Sequence, residues 1–107
     1  NQGQADGAVA MGYRAGYDGQ ENYATAVGYQ AGDTDQGANA VAIGKLAGYQ
    51  TQAANSICIN ATGAALTTST TDTFNVKPVR NAGASGLPTG FFQVAYNPTT
   101  GEFVYYS

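Results

Sequence analysis

Three stretches of the chain, AVAMGYRAG from Ala8, ATAVGYQAG from Ala24 and AVAIGKLAG from Ala40, repeat one pattern at intervals of sixteen residues. Gly12, Gly28 and Gly44 fall in register, as do Gly16, Gly32 and Gly48, and Gln4, Gln20, Gln36 and Gln52 keep the same spacing. A fourth, degenerate copy, SICINATGAAL, begins at Ser56 and carries Asn60 where the others have glycine. A unit of this length is too short for a helix pair or a propeller blade, which take roughly 33 residues or more.

Each copy alternates: Val9 and Met11, Thr25 and Val27, Val41 and Ile43, Ile57 and Ile59 flank Ala10, Ala26, Ala42 and Cys58. Period-2 alternation followed by a turn-permitting glycine reads as one short strand per coil of a parallel β-solenoid. Neighbouring strands then lie about 4.8 Å apart. On this reading the larger residues point into the coil and the Ala/Cys row points out. So narrow a roll buries little surface alone, and a flat outward alanine face lets identical chains approach on a threefold axis; Cys58 shares that face and reads as a reduced core thiol in preference to a meeting of three copies near the axis.

ANAVAIG and ANSICIN resemble the NSVAIG-type motif of YadA-like heads in trimeric autotransporter adhesins, over about residues 4–66. The resemblance implies an all-β fold, a left-handed parallel β-roll that is a homotrimer and serves attachment. The chain adds aromatic decoration to that pattern, with Tyr13, Tyr17, Tyr29 and Tyr49 on the coils.

After Leu66 the repeat ends, which divides the chain into roll repeats over 1–66 and a second segment over 67–107. TTSTTDT reads as a polar connector, and FNVKPVR as an edge or irregular strand because Pro78 lacks an amide donor. NAGASGLPTG reads as a loop. Strands Phe91–Tyr96 and Glu102–Ser107 are expected around the turn NPTTG, with Pro98 at the first turn position and Gly101 left-handed. Such a hairpin would cap the open end of the solenoid. Residues 55–107 resemble the stretch that precedes endosialidase-type intramolecular chaperones in phage tail fibres and large algal-virus (chlorovirus-like) proteins. That resemblance implies a virus-derived trimer released by self-cleavage beside a serine, which Ser107 fits, acting on the virion or at the host cell wall.

The net charge of −3 with only four Lys and Arg argues against nucleic-acid binding, and no apolar run reaches transmembrane length. With one cysteine and no histidine, zinc, Cys–His and Ser–His chemistry lack their parts, and no cofactor is expected. Asp33-Thr34-Asp35 lacks a full calcium loop, so no metal site is expected either. Arg14, Lys45, Lys77 and Arg80 read as scattered surface charge or interchain partners. The general acid/base inventory is seven carboxylates, of which Asp18, Glu21, Asp33 and Asp35 cluster in one part of the repeat. One rung would set Asp18 roughly 5–9 Å from Asp33 or Asp35, a separation that suits glycoside hydrolysis.

Tyr13, Tyr17, Tyr29 and Tyr49 are candidate platforms for sugar faces. Two functions stay open: a fibre-type module that binds cell-wall or cell-surface polysaccharide, and a small wall-degrading glycoside hydrolase using those carboxylates.

Overall fold

The structure, a computed structural model, describes residues 4–104. It is a β-solenoid of sixteen-residue coils closed by a β-hairpin. Four short parallel strands, β1 (Val9–Met11), β2 (Thr25–Val27), β3 (Val41–Ile43) and β4 (Ile57–Asn60), stack so that residues sixteen apart face one another: Ala10 on Ala26, Ala26 on Ala42, Ala42 on Cys58. β5 (Phe74–Lys77) adds a further parallel rung on β4, so the ladder runs past Leu66, where the sequence repeat ends. β7 (Glu102–Val104) then pairs antiparallel with β5, and β6 (Ala95–Tyr96) with β7. Among the described residues no helix is long and apolar enough to cross a membrane.

Each coil turns at two corners built alike. Ala15, Ala31 and Ala47 donate their N–H to the carbonyls of Gly12, Gly28 and Gly44 at 3.1–3.2 Å, and Ala24 and Ala40 donate to Glu21 and Gly37 at 3.3 and 3.2 Å. Both corners place a left-handed residue third in the turn: Arg14, Gln30 and Leu46 at φ 53–61°, and Tyr23, Asn39 and Asn55 at φ 58–63°. Gly12, Gly28 and Gly44 have φ between 108° and 125°, and a Cβ on any of them would lie within 3 Å of backbone on the next coil. That close approach is why the glycine column repeats. Asn60, at the same position in the fourth copy, donates its side-chain amide to the carbonyls of Lys45 and Ala64 at 2.8 and 2.6 Å.

The inside and outside of the strands are the reverse of the expectation from alternation. Ala26, Ala42 and Cys58 are fully buried and, with Ala15, Ala31 and Ala47, form the core. Val9, Met11, Ile43, Ile59 and Phe74 face out, Met11 with 66% of its surface in water. The reason is width. A Cβ added at Gly48 would lie 3.1 Å from the Cβ of Ala42, so at this point the facing walls of the coil stand close enough to demand small side chains. Cys58 is the reduced core thiol expected of it rather than a residue at an interchain axis. Its thiol lies inside the coil, where burial pushes its pKa up to about 11.

The space beside the alanines is filled by amides. Gln20, Gln36 and Gln52 are buried and form a ladder: the Gln20 amide donates to Gln36 Oε1 at 3.0 Å, and the Gln36 amide to Gln52 Oε1 at 3.1 Å. The same amides donate to the carbonyls of Val9, Thr25 and Val41, at 2.9, 2.8 and 3.1 Å. Gln20 Oε1, at the first rung, has no partner among the described residues. A glutamine reaches across the coil and gives its buried amide hydrogens strand carbonyls to donate to.

The hairpin turns as expected at Asn97–Gly101: Gly101 N–H donates to the Asn97 carbonyl at 2.7 Å and Gly101 has φ 80°. Its first strand is shorter than expected, since Phe91–Val94 lie outside β6, and the expected strand end at Tyr105–Ser107, with Ser107 as cleavage site, lies outside the described residues. β5 is an interior strand rather than an edge. Pro78 falls just beyond it, so no ladder donor is missing. Phe103 seals the junction, stacked on Phe74 at 5.5 Å and tilted against Tyr96 at 4.8 Å. The Tyr96 hydroxyl donates to the Val76 carbonyl at 2.9 Å.

Candidate functional site

The coil register sorts the candidate residues into columns. Tyr13, Tyr29 and Lys45 occupy one, Arg14, Gln30 and Leu46 the next, and Tyr17, Asp33 and Tyr49 a third. Asp18, Thr34 and Gln50 bridge one another directly as the fourth. Tyr13 and Tyr29 stand second in their corner turns, where side chains project away from the coil. Their rings stack with centroids 5.3 Å apart and an interplanar angle of 16°. The two rings are 64% and 47% exposed, and the Lys45 ammonium lies over the face of Tyr29, 5.8 Å from its centroid.

The third column does not run as a continuous aromatic or acidic strip. Tyr17 is half exposed and Tyr49 partly buried, whereas Asp33 between them turns inward and is 1% exposed. Asp33 accepts two hydrogen bonds from Arg14, Nε at 2.9 Å and Nη2 at 3.0 Å, one from the Gln30 amide at 3.0 Å and one from the Thr34 hydroxyl at 3.1 Å. The Arg14 guanidinium holds this carboxyl below the usual carboxylate range, and the Gln30 and Thr34 donors act in the same direction against the opposing effect of burial. The guanidinium's own pKa is raised, chiefly by its hydrogen bonds to Asp33. It also covers the Tyr17 ring at 4.1 Å. Arg14 is thus an intrachain partner rather than scattered charge or an interchain one. A carboxylate kept ionised by four donors fits a structural anchor and does not fit a general acid. Arg14 and Gln30 hold the same place in the corner turns of successive coils, and from there both side chains converge on one buried carboxylate.

Of the other carboxylates, Asp18 is exposed on the bridging column. Glu21 and Asp35, both exposed, line one groove of about 340 Å³ with Gly19, Gln20, Asn22 and Ala38. Asp35 lies over Gly19 of the preceding coil, where an added Cβ would meet its Oδ1 at 2.7 Å. A second, more apolar hollow of about 470 Å³ lies between the hairpin and the irregular segment before it, lined by Val79, Leu87, Phe91, Phe92, Tyr96 and Phe103 among others.

Sequence reasoning missed two residues of this surface. Lys45 belongs to the tyrosine column, a placement visible in the aligned strings MGYRAGY, VGYQAGD and IGKLAGY. Arg14 is the partner of Asp33, nineteen residues away, and only the coil register brings them together. Comparison with known protein families, with curated proteins and with solved structures gives no match.

Proposed function

We propose that this chain is a trimeric, fibre- or spike-type viral module that binds host cell-surface or cell-wall polysaccharide. The observation that carries the reading is the stacked, water-exposed pair Tyr13–Tyr29, which puts aromatic surface on the outside of the solenoid rather than in an enclosed small-molecule pocket. Aromatic platforms on a rigid repeat suit a repetitive polymer, and several copies per particle raise avidity without any new contact.

The trimer is supported by the outward strand residues. The columns Val9–Thr25–Val41–Ile57–Phe74 and Met11–Val27–Ile43–Ile59–Val76 run the length of the parallel sheet, and a lone chain leaves much of this surface in water. Closing such faces around an axis removes them from solvent. The larger side chains therefore take the interchain role first expected of the alanines. The resemblance to YadA-like heads and to pre-chaperone segments of viral fibres supports attachment on the virion or at the host wall.

A second reading, a wall-degrading glycoside hydrolase released by autoprocessing, is favoured by one observation: Glu21 and Asp35 share a groove. The purified protein should sediment at about three times 10.9 kDa and be retained on host walls. Tyr29→Ala should weaken retention and leave the trimer intact. Release of reducing sugar that disappears in Glu21→Gln and Asp35→Asn would replace the binding reading with the hydrolase. A monomer that ignores host walls and releases no sugar would remove both.

A further inference from the structure

The apolar surface of the strands does not stop where the repeat stops. The column Val9–Thr25–Val41–Ile57 ends on Phe74, Phe74 stacks on Phe103, and Phe103 is one wall of the hollow of about 470 Å³ beside the hairpin. Leu87, Phe91 and Val94 line that hollow with 54–59% of their surface in water. Phe92 beside them has 92%, more than any other large apolar side chain described. Residues 79–94 are not held in place by their own backbone. Among the described residues their only hydrogen bonds are Phe91 N–H to the Pro88 carbonyl at 3.2 Å and Gly83 N–H to Asn81 Oδ1 at 2.8 Å. A segment with so little internal bonding and its large apolar side chains in water takes its stability from a surface outside the chain.

The hollow is poorly equipped for a sugar. The Tyr96 hydroxyl is spent on the Val76 carbonyl, so only the side chains of Arg80 and Asn81 remain for a hydroxyl-rich ligand. Area points instead to a second copy. The chain exposes 6518 Å², about 900 Å² more than the area of about 5,600 Å² expected of a compact monomer of 10.9 kDa. A stable interface takes about 800 Å² from each partner.

Resting on the trimer reading, we propose that residues 79–94 of one chain pack against the hollow of the next, with Phe92 as the side chain that enters it. A rotation about an axis along the solenoid keeps every residue at its own height. What fills the hollow therefore comes from the neighbour's C-terminal segment and not from its coils. Phe92 is the apolar side chain at that height with least contact to its own chain. Each chain gives one ring and receives another, a head-to-tail contact that closes after three. The strand columns face the axis, and this exchange fastens the chains at one end.

Photocrosslinking of the whole chain with p-benzoylphenylalanine in place of Phe92 tests the exchange. Irradiation should give covalent pairs at about twice 10.9 kDa on a denaturing gel, with position 92 joined to residues 79–103 of the second chain. The same probe in place of Tyr23, 64% exposed on an outer corner, should give none. Phe92→Ser should raise the concentration at which the trimer half dissociates by about tenfold or more, the scale of an aromatic anchor in an interface, and Phe92→Leu should recover most of the loss. A wild-type trimer whose probe at 92 joins only its own chain, the neighbour's coils or nothing would overturn the exchange and leave the trimer standing, as would a Phe92→Ser trimer of unchanged stability. A Phe92→Ser protein that stays trimeric and loses retention on host walls would assign the hollow to wall polymer and overturn it too. A wild type that sediments as a monomer at every concentration would overturn both.

Discussion

The repeating coils and the C-terminal segment solve the same problem, a chain with little interior, in different ways. In the coils the core is methyl groups and amides: Ala26, Ala42 and Cys58 beside the Gln20–Gln36–Gln52 ladder, with every larger apolar strand residue turned outward. In the segment from Phe74 onward no ladder repeats, and cohesion comes from a few aromatic contacts, Phe74–Phe103 and Tyr96–Phe103. Between Pro78 and Val94 the chain has no regular strand and leaves Leu87, Phe91, Phe92 and Val94 exposed. A periodic backbone can hold its shape by hydrogen bonds and exact register while burying little apolar area. A non-periodic one needs large side chains, and here they serve one seam only.

The sharpest way to break this contrast is to overfill the coil. Ala42→Leu should destabilise by about 3 kcal/mol, the upper end of the usual overpacking range, because the surrounding backbone is shared with the coils on both sides. Val41→Ala, one residue away and outward, should change the melting temperature of a lone chain little while weakening trimer association. If urea titration shows Val41→Ala the more damaging to a monomeric sample, the alanines do not form the core.

Removing an amide comes next. Gln36→Leu removes one acceptor of the Gln20 amide, a donor to the Thr25 carbonyl and the amide donor to buried Gln52 Oε1, and leaving a buried polar group unsatisfied costs about 1–3 kcal/mol. Thermal melts should place it between Ala42→Leu and any change in the hairpin. Cys58 supplies an independent readout: with its pKa near 11 and no exposed surface, alkylation at pH 8 should track unfolding of the coil.

Acid sharpens the comparison further, because the buried Asp33 anchor belongs to the coils alone. The carboxyl's pKa is lowered on folding, so the stability it contributes is complete above the ordinary carboxylate value of about 3.9 and is lost as pH falls through the lowered one. Melting curves from pH 6 down to pH 2.5 should therefore show a steeper loss for the wild type than for Asp33→Asn. At pH 6 Asp33→Asn should already be less stable by about 1–2 kcal/mol, the worth of charged hydrogen bonds exchanged for neutral ones. Parallel curves would mean that Arg14 does not stabilise the ionised form.

The smallest effects belong to the C-terminal segment. Tyr96→Phe removes one hydrogen bond to the Val76 carbonyl and should cost about 1 kcal/mol. Phe92→Ala, at a ring 92% exposed, should fall within about 0.5 kcal/mol in a lone chain. A larger loss at Phe92 in the assembled protein would show that neighbouring chains cover it.

The sixteen-residue period by itself determined the strand count of the repeat, the parallel register and the glycine corners, because residues sixteen apart are forced to stack and only glycine tolerates the approach at Gly12, Gly28 and Gly44. The residues of NPTTG, not the period, placed the hairpin turn, where Pro98 and Gly101 fit the backbone the turn demands. Alternation told that the strand has two faces but not which of them is inside. That choice depends on how far apart the opposite walls of the coil stand, a distance set by the whole loop of backbone, and it admits alanine and excludes valine. Side-chain direction likewise decided the site. Tyr17, Asp33 and Tyr49 share a column in the sequence, yet Asp33 turns inward because Arg14 and Gln30, from the same corner of successive coils, meet its charge there.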